Sequence, residues 1–155
     1  MKNNKYLGKT ISVSGGFDPL HIGHLEMFKF AKKLVGEKGK LVVFVNTDSF
    51  LKKKKDKAFM KLRDRMRLIK ALRGVDLVYP VIDKDTTVRK TLLKYMPDVF
   101  ANGGDRTKNN IPEFTVCKKL DIEMLFNVGG KKTRSSSELL KNYSKKKSIF
   151  SNSKK

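Results

Sequence analysis

Apolar positions along the chain fall in two patterns, short dense runs and residues that recur at the spacing of one helix face. Thr10 to Ser14 is a short run rich in β-branched residues that ends at Gly15 and Gly16, which reads as a strand and a turn. From Ile22 to Val35 the apolar residues Ile22, Leu25, Phe28, Ala31 and Val35 return at the spacing of one helix face, and Gly36 to Gly39 stops them. Leu41 to Val45 is unbroken, as in a strand covered on both faces. Residues 46–60 are polar and lysine-rich and read as a loop. Leu62, Met66, Ile69 and Leu72 predict a second helix, ended by Gly74. Val75 to Ile82 predicts a third strand, with Pro80 marking a bend or an edge. A helix over Thr86–Tyr95 closed by Pro97, a strand over Asp98–Ala101, a helix over Pro112–Leu120, a strand over Ile122–Val128 and a helix over Ser135–Tyr143 follow. Residues 144–155 are a basic Ser/Lys/Asn tail without periodicity and read as disordered.

Strand and helix therefore alternate along the chain. The order predicts one α/β domain over residues 1–143, a Rossmann-like, doubly wound, five-stranded parallel sheet with helices on both faces. Ligands of such sheets sit beyond the carboxyl ends of the strands. The segments to inspect are then 14–24, 46–60, 101–111 and 129–137.

Composition narrows the class. The 155 residues suit one domain, and 39% hydrophobic content suffices for one core. No apolar run approaches the roughly 20 residues of a membrane helix. The opening MKNNKYLGK has no apolar stretch before a cleavage site, so the expected location is the cytoplasm. Cys117, the single cysteine, excludes an internal disulfide framework and a thiolate zinc site, and reads as a buried thiol. Charge is the unusual feature: 36 Lys plus Arg against 15 Asp plus Glu give +21. Such a surface attracts polyanions, and weak non-specific nucleic-acid binding through the basic tail is one expectation. Most of the lysines are scattered, however, which is the pattern of a solvated surface.

The first of those segments reads GGFDPLHIGHL, from Gly15 to Leu25. His21 and His24 stand three apart at a predicted helix start, so both imidazoles face one spot where unpaired amides favour an anion. Gly23 clears a side chain between them, Gly15 and Gly16 let backbone approach a phosphate, and Asp18 can fix the turn. The bland alternative is two surface histidines, but the chain's only two histidines fall together in this glycine-rich turn. A zinc site would need a third ligand, and only carboxylates remain for it, so no resident metal is expected. Ser135, Ser136 and Ser137 open the last helix, where hydroxyls and amides cap the helix or hold phosphate.

The stretch GGFDPLHIGH resembles the H-x-G-H signature of the nucleotidyltransferase superfamily, which includes glycerol-phosphate cytidylyltransferases and heptose-phosphate adenylyltransferases. The resemblance extends over most of the chain: VNTDSFLKKKK from Val45, RDRMRLIKALRGVDLV from Arg63, DKDTT from Asp83, PDVFANGGDR from Pro97 and TRSSSELL from Thr133. It implies transfer of a nucleoside monophosphate from a triphosphate, with Mg2+, to a phosphorylated sugar or polyol, releasing pyrophosphate. ATP with a heptose-type phosphate is the leading expectation; CTP with glycerol 3-phosphate or a similar polyol phosphate is the alternative. A non-catalytic nucleotide or polyanion binder is the second class. By resemblance His21, His24, Arg65 and one lysine of Lys52 to Lys55, with Lys55 the choice, are expected to be catalytic, with Arg63 the rival of Arg65 by register. Gly15, Gly16, Phe17, Asp18, His21, Gly23 and His24 are expected around the nucleotide. So are Asn102, Gly104 and Asp105, and Arg134, Ser135, Ser136 and Ser137. Asp18, Asn46, Asp48 and Arg63 are expected at the acceptor, and a homodimer is implied.

Overall fold

The structure is a computed structural model that describes residues 3–104, 106–130 and 135–152, with side chains as far as Lys145. Among the described residues the elements follow in order: β1 (Thr10–Gly15), α1 (Ile22–Val35), β2 (Lys40–Val45), α2 (Asp48–Lys55), α3 (Leu62–Lys70), β3 (Leu77–Pro80), α4 (Arg89–Tyr95), β4 (Val99–Ala101), α5 (Phe114–Lys119), β5 (Glu123–Leu125) and α6 (Ser136–Asn152). The five strands form one sheet in the order β3-β2-β1-β4-β5, and every pairing is parallel. This is the expected Rossmann-like α/β architecture.

Alternation along the strands divides the core into two layers. Val13, Leu41, Val43 and Val45 face Phe28, Ala31 and Val35 of α1 and Ile69 of α3. Val42, Phe44 and Phe100 face Leu92 of α4 and Cys117 of α5. Each fully buried side chain of this size contributes about 1.5–3 kcal/mol of transfer free energy. The chain runs outward from β1 to β3, then returns to place β4 on the other side of β1. The crevice beyond Gly15 of β1 and Ala101 of β4 is thus the topological switch point.

Two expectations are corrected. Residues 48–55, read as loop, are helix α2. Thr47 caps it, its hydroxyl accepting from the Phe50 amide, and Phe50 and Leu51 bury its inner face. The last helix does not end at Tyr143 but continues to Asn152. No glycine or proline interrupts residues 136–152, and lysine is a good helix former. Among the described residues no helix is long and apolar enough to cross a membrane.

Candidate active site

The histidine turn is built from its backbone upward. A Cβ on Gly15 would fall 2.9 Å from the Phe17 ring, so the turn can fold tightly only with glycine there. Phe17 takes left-handed backbone, φ 51°, and buries its ring edge-on against Phe28 at 5.3 Å and His24 at 4.9 Å. It is the support beneath His24. His21 is the N-cap of α1: its Nδ1 accepts from the Gly23 amide at 3.1 Å. The His21 amide donates to His24 Nδ1 at 3.2 Å. The two rings stack with centroids 3.7 Å apart. With both Nδ1 atoms accepting, each neutral ring carries its proton on Nε2. The turn therefore presents two imidazole donors at a helix N-terminus.

Both rings line a cleft of about 600 Å3, within the usual range for small-molecule sites. Its β4 side carries Asn102, Gly103, Gly104, Arg106 and Asn110. Ser135, Ser136 and Ser137 close the end nearest the histidine turn, and Ser136 Oγ donates to Pro19 O at 2.7 Å. The β2 side carries Asn46, Leu51, Lys54 and Lys55. Asn46 Oδ1 is buried and has no hydrogen-bond partner among the described residues. Lys54, Lys55 and Arg106 outnumber Glu26, the one carboxylate among the described lining residues. Burial, with the Arg106 charge as a second cause, lowers the Lys54 pKa below its usual value. The cleft is shaped and charged for a polyanion.

Most of the expected residues meet here. Gly15, Gly16, Phe17, His21, Gly23, His24, Asn46, Lys55, Asn102, Gly104 and the three serines all line it. Asp105 and Arg134 lie outside the described residues. Four residues are placed elsewhere. Arg65, expected to meet phosphate, is 1% exposed and donates to Met60 O, Gly16 O, Asn46 O and Asp48 Oδ1. Asp48 accepts from Arg65 and from the Leu62 amide instead of lining the cleft. Asp18 is buried, both carboxylate oxygens taken by the Phe59 and Met60 amides at 2.6 Å. Arg63 is exposed beside Leu62, Met66 and Val78, on a separate groove. Of the candidates Lys52 to Lys55, the cleft takes Lys54 and Lys55; sequence reasoning missed Met27, Arg106 and Asn110 as lining residues. Met27 continues the series 21, 24, 27 on one helix face, a signal that was present in the spacing.

A parallel sheet whose switch-point crevice holds a histidine-bearing helix start defines a nucleotide-binding α/β enzyme. The chain belongs to the cytidylyltransferase-like family, whose model matches residues 13–144, and is a nucleotidyltransferase. It is 34% identical over 122 residues to an FAD synthase of Korarchaeum cryptofilum, covering 77% of this chain and 81% of that one. It is 37% identical over 114 residues to the bifunctional protein HldE of Streptomyces coelicolor, covering 72% of this chain but 24% of that longer protein. A crystal structure of a lipopolysaccharide core biosynthesis protein from Thermoplasma volcanium superposes with a TM-score of 0.64 at 27% identity, covering 76% of this chain and 94% of that one.

Proposed function

We propose that the protein transfers the adenylyl group of ATP, taken as its magnesium complex, to the phosphate of a heptose-type sugar. The products are an ADP-sugar and pyrophosphate. The observation that carries this reading is the stacked His21–His24 pair, both Nδ1 atoms held by backbone amides, at the head of α1 inside a cationic cleft.

An oxygen of the acceptor phosphate attacks the α-phosphorus in line. The bond from that phosphorus to the oxygen bridging the α- and β-phosphates breaks, and pyrophosphate leaves with the electron pair. No covalent enzyme intermediate is needed, so catalysis is positioning plus charge stabilisation. His21 and His24 donate from Nε2 to phosphoryl oxygens as charge builds on them. The hydroxyls and amides of Ser135 to Ser137, at the start of α6, hold the outer phosphates. Lys54, Lys55 and Arg106 neutralise the leaving group and the acceptor phosphate.

A second reading is favoured by one observation: the similarity to an FAD synthase covers 81% of that protein. There the acceptor would be FMN, itself a polyol phosphate. The β2 side of the cleft sets Asn46, Lys54 and Lys55 beside one apolar residue, Leu51, and that small apolar share favours a sugar phosphate over an acceptor with a tricyclic ring system. The test is pyrophosphate release with magnesium across ATP, CTP, GTP and UTP, against heptose, hexose and polyol phosphates and FMN. ATP with a sugar phosphate is the expected pair. Release with FMN, or with CTP and glycerol 3-phosphate, would replace it.

A further inference from the structure

Arg65 holds a charged group in the core, where its guanidinium donates four hydrogen bonds, all to atoms of the chain itself. Nε donates to Met60 O at 2.9 Å, Nη1 to Gly16 O at 2.8 Å and Asn46 O at 2.6 Å, and Nη2 to Asp48 Oδ1 at 2.7 Å. Its side chain is fully covered, so it touches no substrate in this arrangement. Stability alone is a weak reason for such a group, because apolar residues of similar volume often serve a core as well as a buried ion pair.

The identities of the bonded atoms suggest another reason. Gly16 is the last residue before the Phe17–His24 turn, and Asn46 is the first residue after β2, just ahead of α2. One planar guanidinium therefore grips the exits of two adjacent strands. One exit leads to the histidines, and the other to the helix that carries Lys54 and Lys55. Asp48 Oδ1, at the start of α2, also accepts from the Leu62 amide of α3. The Asp18 carboxylate, in the histidine turn, accepts from the Phe59 and Met60 amides. The bonds close a loop from histidine turn to α2 to the start of α3 and back.

We propose that Arg65 is a positioning residue that couples the histidine turn to helix α2, so that nucleotide held by the histidines fixes where the lysines of α2 stand. The role rests on the reading of His21 and His24 as phosphate donors. Arg65 suits it because its donors lie in one fixed plane, a geometry that a lysine ammonium does not reproduce.

The test compares wild type, Arg65→Lys, Asp48→Asn and, as a control on the same helix, Arg67→Ala. Hydrogen exchange of the Phe50–Lys55 amides is followed with and without α,β-methylene ATP, which binds without transferring. In wild type and Arg67→Ala the analogue slows exchange in α2 about tenfold or more. Folded Arg65→Lys binds the analogue within about threefold of wild type, loses that slowing, and drops about 100-fold in kcat with little change in the KM for ATP, the scale of a small misplacement of reacting groups. Asp48→Asn retains an oxygen for Leu62 and loses part of the slowing, and it carries the test if Arg65→Lys does not fold. Slowing retained in these variants, slowing absent in wild type, or analogue binding lost only in step with the unfolded fraction would each overturn the proposal. If wild type releases pyrophosphate from no substrate pair, the transferase reading fails separately, and the exchange experiment still decides the coupling.

Discussion

Gly16 and Leu51 pack so closely that a Cβ added to Gly16 would stand 2.7 Å from Leu51 Cδ2. Leu51 is buried in α2 and has little room to retreat. Gly16→Ala should therefore lever α2 away from the end of β1. Overpacking of this kind costs about 1–3 kcal/mol, so the urea midpoint should fall with an unchanged slope. Turnover should fall more steeply than stability, because the lysines of α2 move with the helix. A variant with wild-type midpoint and turnover would show that the contact relaxes freely.

The histidines should separate capping from catalysis. His21→Ala loses the N-cap of α1, worth about 1 kcal/mol, as well as a donor. His21→Asn retains a cap and still loses the donor. Both should lower kcat by about 100-fold to 1000-fold, the scale of one removed oxyanion donor. Only the alanine variant should also lower the melting temperature. His24→Ala should match that loss of turnover and uncover the Phe17 ring. Undiminished turnover in a double variant would refute the assignment of both rings.

Lys54 should make nucleotide binding take up protons. Burial lowers its pKa below 10.5, so in alkaline solution the empty folded protein releases this proton before the unfolded chain does. Over that window folding releases a proton, and this residue's contribution to stability rises with pH. A bound polyphosphate restores the charge. Calorimetric titration of α,β-methylene ATP in alkaline buffers of different ionisation enthalpy should detect proton uptake where free Lys54 is partly deprotonated, and Lys54→Met should abolish it. Identical heats in all buffers would contradict this.

Cys117 should be silent until the protein opens. It is fully buried, and desolvation, with the Glu113 charge as a lesser cause, pushes its thiol up to about 11. A disulfide reagent at pH 8 should label it no faster than the core between β4 and α5 opens, with a rate that climbs in urea. Prompt labelling of the native protein would contradict that burial.

The sheet was legible because its strands are dense in Val, Ile and Phe and its helices obey one spacing. The histidine turn was legible because two rare residues share a glycine-rich stretch. Helix α2 was hidden by its own composition: DSFLKKKK buries only Phe50 and Leu51, too few apolar positions to set a period. The Thr47 cap was the available signal. Asp18 was legible as a carboxylate that fixes its loop through backbone amides, while Asp48 and Arg65 were expected at substrate, because charge in a sequence does not say what it faces. Their partners are mostly backbone atoms up to 49 residues away, which no local pattern records. Which of Lys52 to Lys55 reach the cleft could not be told, because phase on a short polar helix decides that Lys54 and Lys55 line it.

Helix α6 gives the site a mechanical handle. Its 17 residues run without a break, which at the α-helical rise makes a rod of about 25 Å. The rod is pinned near its base by the hydroxyl of Ser136 on the carbonyl of Pro19, two residues before His21. The end of that rod and the turn that aims the imidazoles thus share one hydrogen-bonded hinge, so whatever shifts the base of α6 shifts the carbonyl two residues before His21.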